Sequence, residues 1–150
     1  KRQFEMKKTA LLLFITLILS ACSQVSKEDA KKLNGYWEIE KVILTDGSEK
    51  DYSINTTYDY FSIKDDFKGF RKKVQPQLDG KFLTDNSEEV LEITEKDSKI
   101  YLNYKTDYAT WKEELKSISE DKMVILNQQK IEYHYKKATA INLLDGEETK

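Results

Sequence analysis

The chain reads as an all-β domain, an eight-stranded antiparallel up-and-down barrel, with a two-sheet β-sandwich as the alternative that the same pattern allows. Three observations predict this. From Gly35 onward, apolar residues recur at every second position in short runs, and turn residues separate the runs at fairly even spacing. Tyr, Phe and Trp make up 11% of the 150 residues, whereas Pro occurs once and Gly five times. That balance favours strands over helices.

The first strand is expected at 36–44, with Trp37 and Ile39 on one face. Val42 and Leu44 fall on the other phase, which predicts a bulge near Lys41. After the Asp46-Gly47 turn, a strand at 57–64 turns Phe61 and Ile63 inward with Asp59 in phase. Asp65-Asp66 leads to a strand at 68–75, where Phe70 and Val74 are assigned inward and Arg71-Lys72-Lys73 is split between two faces. Asp79-Gly80 precedes a long strand at 81–94, interrupted near Asn86, with Leu91 and Ile93 inward. Lys96-Asp97-Ser98 turns into 99–105, whose inward residues are Ile100, Leu102 and Tyr104. The strand at 110–118 carries Trp111 and Leu115 inward with Glu113 between them. Glu120-Asp121 and Asn127-Gln128-Gln129 bound the strand at 122–127. The last, at 130–136, places Ile131, Tyr133 and Tyr135 inside and His134 outside with Glu132 and Lys136. Connections this short join antiparallel neighbours. Eight such strands can close and remove their exposed edges, leaving room for side chains or one small ligand.

Ahead of the barrel, Met6 is followed by two lysines, an apolar run from Ala10 to Leu19, and small residues closing on a cysteine. This is the layout of a secretory signal. A membrane-spanning helix needs roughly 20 apolar residues; the run has about half of that. Leu19-Ser20-Ala21-Cys22 resembles the lipobox of bacterial lipoproteins. The resemblance implies that residues 6–21 are a removable signal peptide and that Cys22 carries the acyl chains. Residues 22–32, polar and without apolar periodicity, then read as anchor and flexible tether. Two or more acyl chains give stable attachment where one does not. Within the tether, Lys27-Glu28-Asp29 resembles the short acidic export signals of some surface-displayed Gram-negative lipoproteins. Residues 1–5 lack this pattern and read as an extension upstream of the natural start. The expected location is the cell envelope, lipid-anchored to the outer membrane, with the periplasmic face and the cell surface both open.

Composition excludes several functions. Of 25 basic and 27 acidic residues, Lys1, Arg2, Lys7, Lys8 and Glu5 precede Cys22, leaving 21 against 26 and a formal charge of −5. Nucleic acid is therefore not an expected partner, because phosphate binding needs a clustered basic face. One cysteine, assigned to the lipid, allows neither a disulfide nor a thiolate metal site. One histidine, facing out, provides neither a histidine-paired nucleophile nor a two-histidine metal site. No cofactor or metal is expected, and the protein is not expected to be an enzyme. Glu113 and Asp59 would be the carboxylates of a paired-carboxylate hydrolase if there were one.

Asn34-Gly35-Tyr36-Trp37-Glu38-Ile39, at the start of the first strand, resembles the Gly-x-Trp opening of lipocalins. The stretch from Trp111 to Ile125 is similar to the late strand pair of small lipocalin-like lipoprotein domains. The resemblance implies a lipocalin-like barrel over 33–137, with Gly35 and Trp37 at its closed end and 138–150 a C-terminal tail. There are departures. Thr106-Asp107-Tyr108 has the letters of the second lipocalin motif, yet three strands follow it where two should. The arginine that packs over the tryptophan in that family is missing, and Lys136 or Lys137 would take its place by a cation–π contact. The tail offers no counterpart of the flanking lipocalin helix.

The function so implied is an envelope lipoprotein that binds a small apolar or amphipathic ligand in its barrel. Asp59, Phe61, Tyr104, Trp111, Glu113 and Tyr133 are the candidate ligand-binding residues. Asp59 and Glu113 have a second reading, as groups at an open end in water or paired with Arg71 or Lys105. The alternative function is a ligand-free interaction or assembly module, its barrel filled by its own aromatics and its partner another envelope protein. Outward tyrosines such as Tyr101 would mark that partner's surface.

Overall fold

The computed structural model describes residues 24–84 and 87–138. The signal segment, Cys22, Asn86 and the tail beyond Ala138 lie outside the described residues. A 3₁₀ helix, η1 (Glu28–Leu33), precedes β1 (Gly35–Ile43), β2 (Glu49–Asp51), β3 (Tyr58–Ile63), β4 (Lys68–Pro76), β5 (Phe82–Thr84) and β6 (Glu89–Lys96). There follow β7 (Lys99–Lys105), β8 (Thr110–Ile118), β9 (Lys122–Leu126) and β10 (Glu132–Lys137). Eight of the strands pair in the order β1-β3-β4-β6-β7-β8-β9-β10, and β10 returns to β1, so the antiparallel meander closes. The short β2 and β5 lie off this ring, on β1 and β4.

Closure follows from local rules. Asp97 and Ser98 both have positive φ, 52° and 59°, so the β6–β7 connection is a two-residue turn whose twist matches that of its strands. Between Ile39 and Lys41 the β1–β10 register shifts, and this bulge brings Val42 opposite Tyr133 on the inner face. The phase change foreseen near Lys41 is this bulge. A second shift, between Leu115 and Ser117, does the same for Ile118 opposite Met123. Gly69 lies in β4 where a Cβ would stand 1.8 Å from the Ser62 carbonyl oxygen, so no side chain fits without moving β3.

The interior is filled by Trp37, Phe61, Leu91, Leu102, Tyr104 and Ile125, each at most 2% exposed, with the remaining inward residues around them. Burial at about 25 cal/mol per Å² of apolar surface makes this packing the main stabilising term.

Four expectations need correction. Phe70 and Val74 face out of the barrel, not in, because β4 pairs with β3 so that Arg71 stands opposite Phe61. Phe70 instead joins an outer aromatic layer in which Tyr36 stacks on Phe82 at 4.0 Å and meets Tyr60 tilted at 4.6 Å, while Val74 is buried beside Tyr58. The segment expected at 81–94 is two strands, β5 and β6, which pair with different parts of β4. The supposed flexible tether, 22–32, holds all but the last residue of η1, whose Ala30 is fully buried, as is Leu33 at its end. Three residues apart, those two side chains eclipse on one 3₁₀ face and plug the barrel against β3 and β8. Ile131 precedes β10 and is half-buried.

Candidate functional site

At the plugged end, Asp29 accepts hydrogen bonds from the Ser26 hydroxyl and amide at 2.6 and 3.0 Å and from Lys32 at 3.0 Å. These bonds, the Ser26 hydroxyl first, hold its carboxyl down at about 2. Gly35 at φ 115° lets the chain turn from η1 into β1. The Trp37 indole Nε1 donates to the Leu33 carbonyl at 2.7 Å. Over its ring sits the Lys137 ammonium, 4.4 Å from the centroid, which also donates to the carbonyls of Lys32 and Asn34 at 3.0 and 2.6 Å. Of the two lysines expected here, Lys137 makes the contact. Burial pulls its pKa below the ordinary value.

Farther along the interior lies a layer of buried charge. Arg71 has its side chain 8% exposed, pairs through Nε with Glu89, and reaches Glu113 at 3.4 Å through a terminal nitrogen. Its guanidinium lies 4.3 Å from the Tyr104 ring centroid, and Tyr104 in turn stacks on Trp111 at 5.2 Å. Desolvation opposes the Arg71 charge, but the carboxylates of Asp59, Glu89 and Glu113 outweigh it and hold the pKa well above the ordinary value. Burial raises Glu113, with Arg71 pulling the other way. Beside this group Asp59, 2% exposed, takes the Tyr135 hydroxyl at 3.0 Å on one oxygen and the Lys73 ammonium on the other. Burial pushes both Tyr104 and Tyr135 well above the phenol range, so both are neutral. The Tyr104 hydroxyl makes no hydrogen bond of standard geometry.

Where β1 and β3 part, a cavity of about 290 Å³ opens beneath segment 52–57. Trp37 and Ile39 form its apolar wall, Tyr52, Ile54 and Asn55 cover it, and Asp59 and Lys73 supply its charge. The Asn55 side chain ties the cover to β1 by donating to the Ile39 carbonyl at 2.8 Å. A broader depression of about 450 Å³ lies along β6–β8, but Val90, Glu92, Asn103, Lys105 and Lys112, which line much of it, belong to the solvent side of the sheet. The smaller cavity joins buried charge to an apolar wall, which is the combination a ligand site requires.

Of the expected ligand residues only Asp59 lines this cavity. Phe61 is core, Tyr104 and Glu113 belong to the Arg71 cluster, and Trp111 and Tyr133 pack at the edge of the core. Glu113 thus takes the reading in which it pairs with Arg71. Lys73, Tyr52 and Asn55 were not anticipated. Lys73 had a signal in its two-residue spacing from Arg71, which puts both on one face of β4. Among the described residues no group of three His, Cys, Asp or Glu is placed to hold a metal ion.

A closed eight-stranded meander, plugged at one end and carrying a cavity beside buried charge, defines a small antiparallel barrel of the size that holds its own side chains or one ligand. The family model of the lipocalin-like domain matches residues 33–125, and the chain belongs to that family. Two solved structures are similar. One is a lipocalin-like protein from Bacteroides uniformis, 13% identical over 71% of this chain and 99% of its own, with a TM-score of 0.46. The other is an uncharacterized protein from Bacteroides eggerthii, 11% identical over the same shares, with a TM-score of 0.45. No curated protein matches the chain.

Proposed function

We propose that this lipocalin-like domain is a lipid-anchored binding protein of the bacterial envelope, which holds one small amphipathic ligand and catalyses no reaction. The observation that carries the reading is the cavity of about 290 Å³ with Asp59 buried at an apolar wall, in a barrel otherwise filled by its own side chains. Attachment rests on the lipobox resemblance at Cys22. Gln24 bonds the Ser98 carbonyl at the plugged end, and two residues of chain reach about 7 Å at most. An acylated Cys22 would therefore hold the plugged end at the bilayer and turn the cavity away from it. Cys22→Ser is expected to move the protein from the membrane to the soluble fraction on envelope fractionation; an unchanged membrane fraction would refute the anchor.

Native mass spectrometry of the protein purified from its envelope, before and after organic extraction, tests the ligand. A mass of a few hundred daltons that is lost on extraction is the expected result. The second reading, an interaction module, draws on Leu44, Ile54, Leu78, Leu83, Val90 and Tyr108. These large exposed apolar residues lie on or beside the connections of the open end. A bare mass, with no uptake from a panel of apolar and amphipathic compounds, would favour it.

A further inference from the structure

The cavity's two charged groups are not equivalent. Asp59 is 2% exposed and its two oxygens face Tyr135 and Lys73, whereas the Lys73 side chain is 47% exposed. A ligand anion drawn to Lys73 would leave the Asp59 carboxylate buried without its cation, which is strongly unfavourable. A ligand cation drawn to Asp59 would instead keep that buried carboxylate paired and release only the Lys73 ammonium, whose side chain is already half in water. Arg71 cannot make that exchange, because Glu89, Glu113 and the Tyr104 ring enclose it. The formal charges of the cluster agree: Asp59, Glu89 and Glu113 stand against the buried Arg71 and the half-exposed Lys73, and the excess is negative.

We propose that the cavity selects amines: its ligand has an apolar body against Trp37 and Ile39 and a protonated amino group that replaces the Lys73 ammonium on Asp59. This inference rests on the binding reading above and names its ligand class. Octylamine, octanol and octanoate, which share one alkyl body, separate the two claims when titrated calorimetrically into the full chain carrying Cys22→Ser, so that no acyl chain competes. Octylamine is expected to bind at least tenfold more tightly than octanol, with octanoate weakest. Asp59→Asn should abolish the preference for the amine over the alcohol, and Lys73→Met, which removes the internal competitor, should tighten octylamine several-fold. Octanol or octanoate binding as well as octylamine would overturn the amine assignment and leave the binding reading standing. If none of the three binds, both fall. Should Asp59→Asn not fold, Lys73→Met decides alone, since weaker octylamine binding in that variant would show that the lysine does not compete for Asp59.

Discussion

Replacing Trp37 by alanine is expected to destabilise the domain by about 3–5 kcal/mol, the range for deleting a large buried aromatic. Trp37 is fully buried, and its ring joins three parts of the molecule. Its Nε1 holds η1 through the Leu33 carbonyl, its face carries the Lys137 ammonium, and it walls the cavity. Without the indole, Lys137 keeps its two carbonyl acceptors but loses the ring beneath it, and Leu33 loses the donor to its carbonyl. Trp37→Phe retains most of the apolar volume and is expected to cost clearly less, the lost hydrogen bond accounting for about 1 kcal/mol. Urea unfolding of both variants measures this. A loss below about 1 kcal/mol for the alanine variant would mean that the plug and the barrel are not energetically joined through Trp37.

Arg71→Met is expected to cost about 3–5 kcal/mol at neutral pH, because it removes the cation from a buried cluster and leaves its anions behind. The loss should shrink in mild acid. Burial already raises Glu113, and Arg71 is the largest influence opposing that rise, so the variant's Glu113 would be raised further. A carboxyl whose folded pKa exceeds its unfolded value binds more protons in the folded state. The contribution of that carboxyl is then greatest below the unfolded value near 4.5 and falls as pH rises through the folded pKa. The gap between wild type and Arg71→Met in urea midpoint should therefore be wide at pH 7 and narrower at pH 5. A gap that stays constant or widens in acid would show that Glu113 is not the group left uncompensated.

Strand positions were legible in the sequence because alternation and turn residues are local signals. Seven of the eight predicted runs, all but 81–94, lie within two residues of observed strands, and the bulge in β1 announced itself as a change of phase at Val42. β2 was not legible, since its three residues are all exposed and carry no apolar alternation. In β4, Phe70 and Val74 lie on one phase and Arg71 on the other. The apolar set was assigned inward by the usual rule, yet the rule fails where an outer layer of Tyr36, Tyr60 and Phe82 can cover it and interior carboxylates can pair the arginine.

The sequence alone determined the all-β meander, the inward phase of Asp59 and Glu113, and a lysine at the end of the last strand placed to meet Trp37. Only the tertiary structure decided that Arg71 lies inside, that η1 plugs the barrel, and that Asp59 shares its cavity with Lys73. Alternation reports which face of one strand a side chain takes; whether a charge can stay on the inner face depends on partners that other strands bring to it, and those exist only once the sheet has closed.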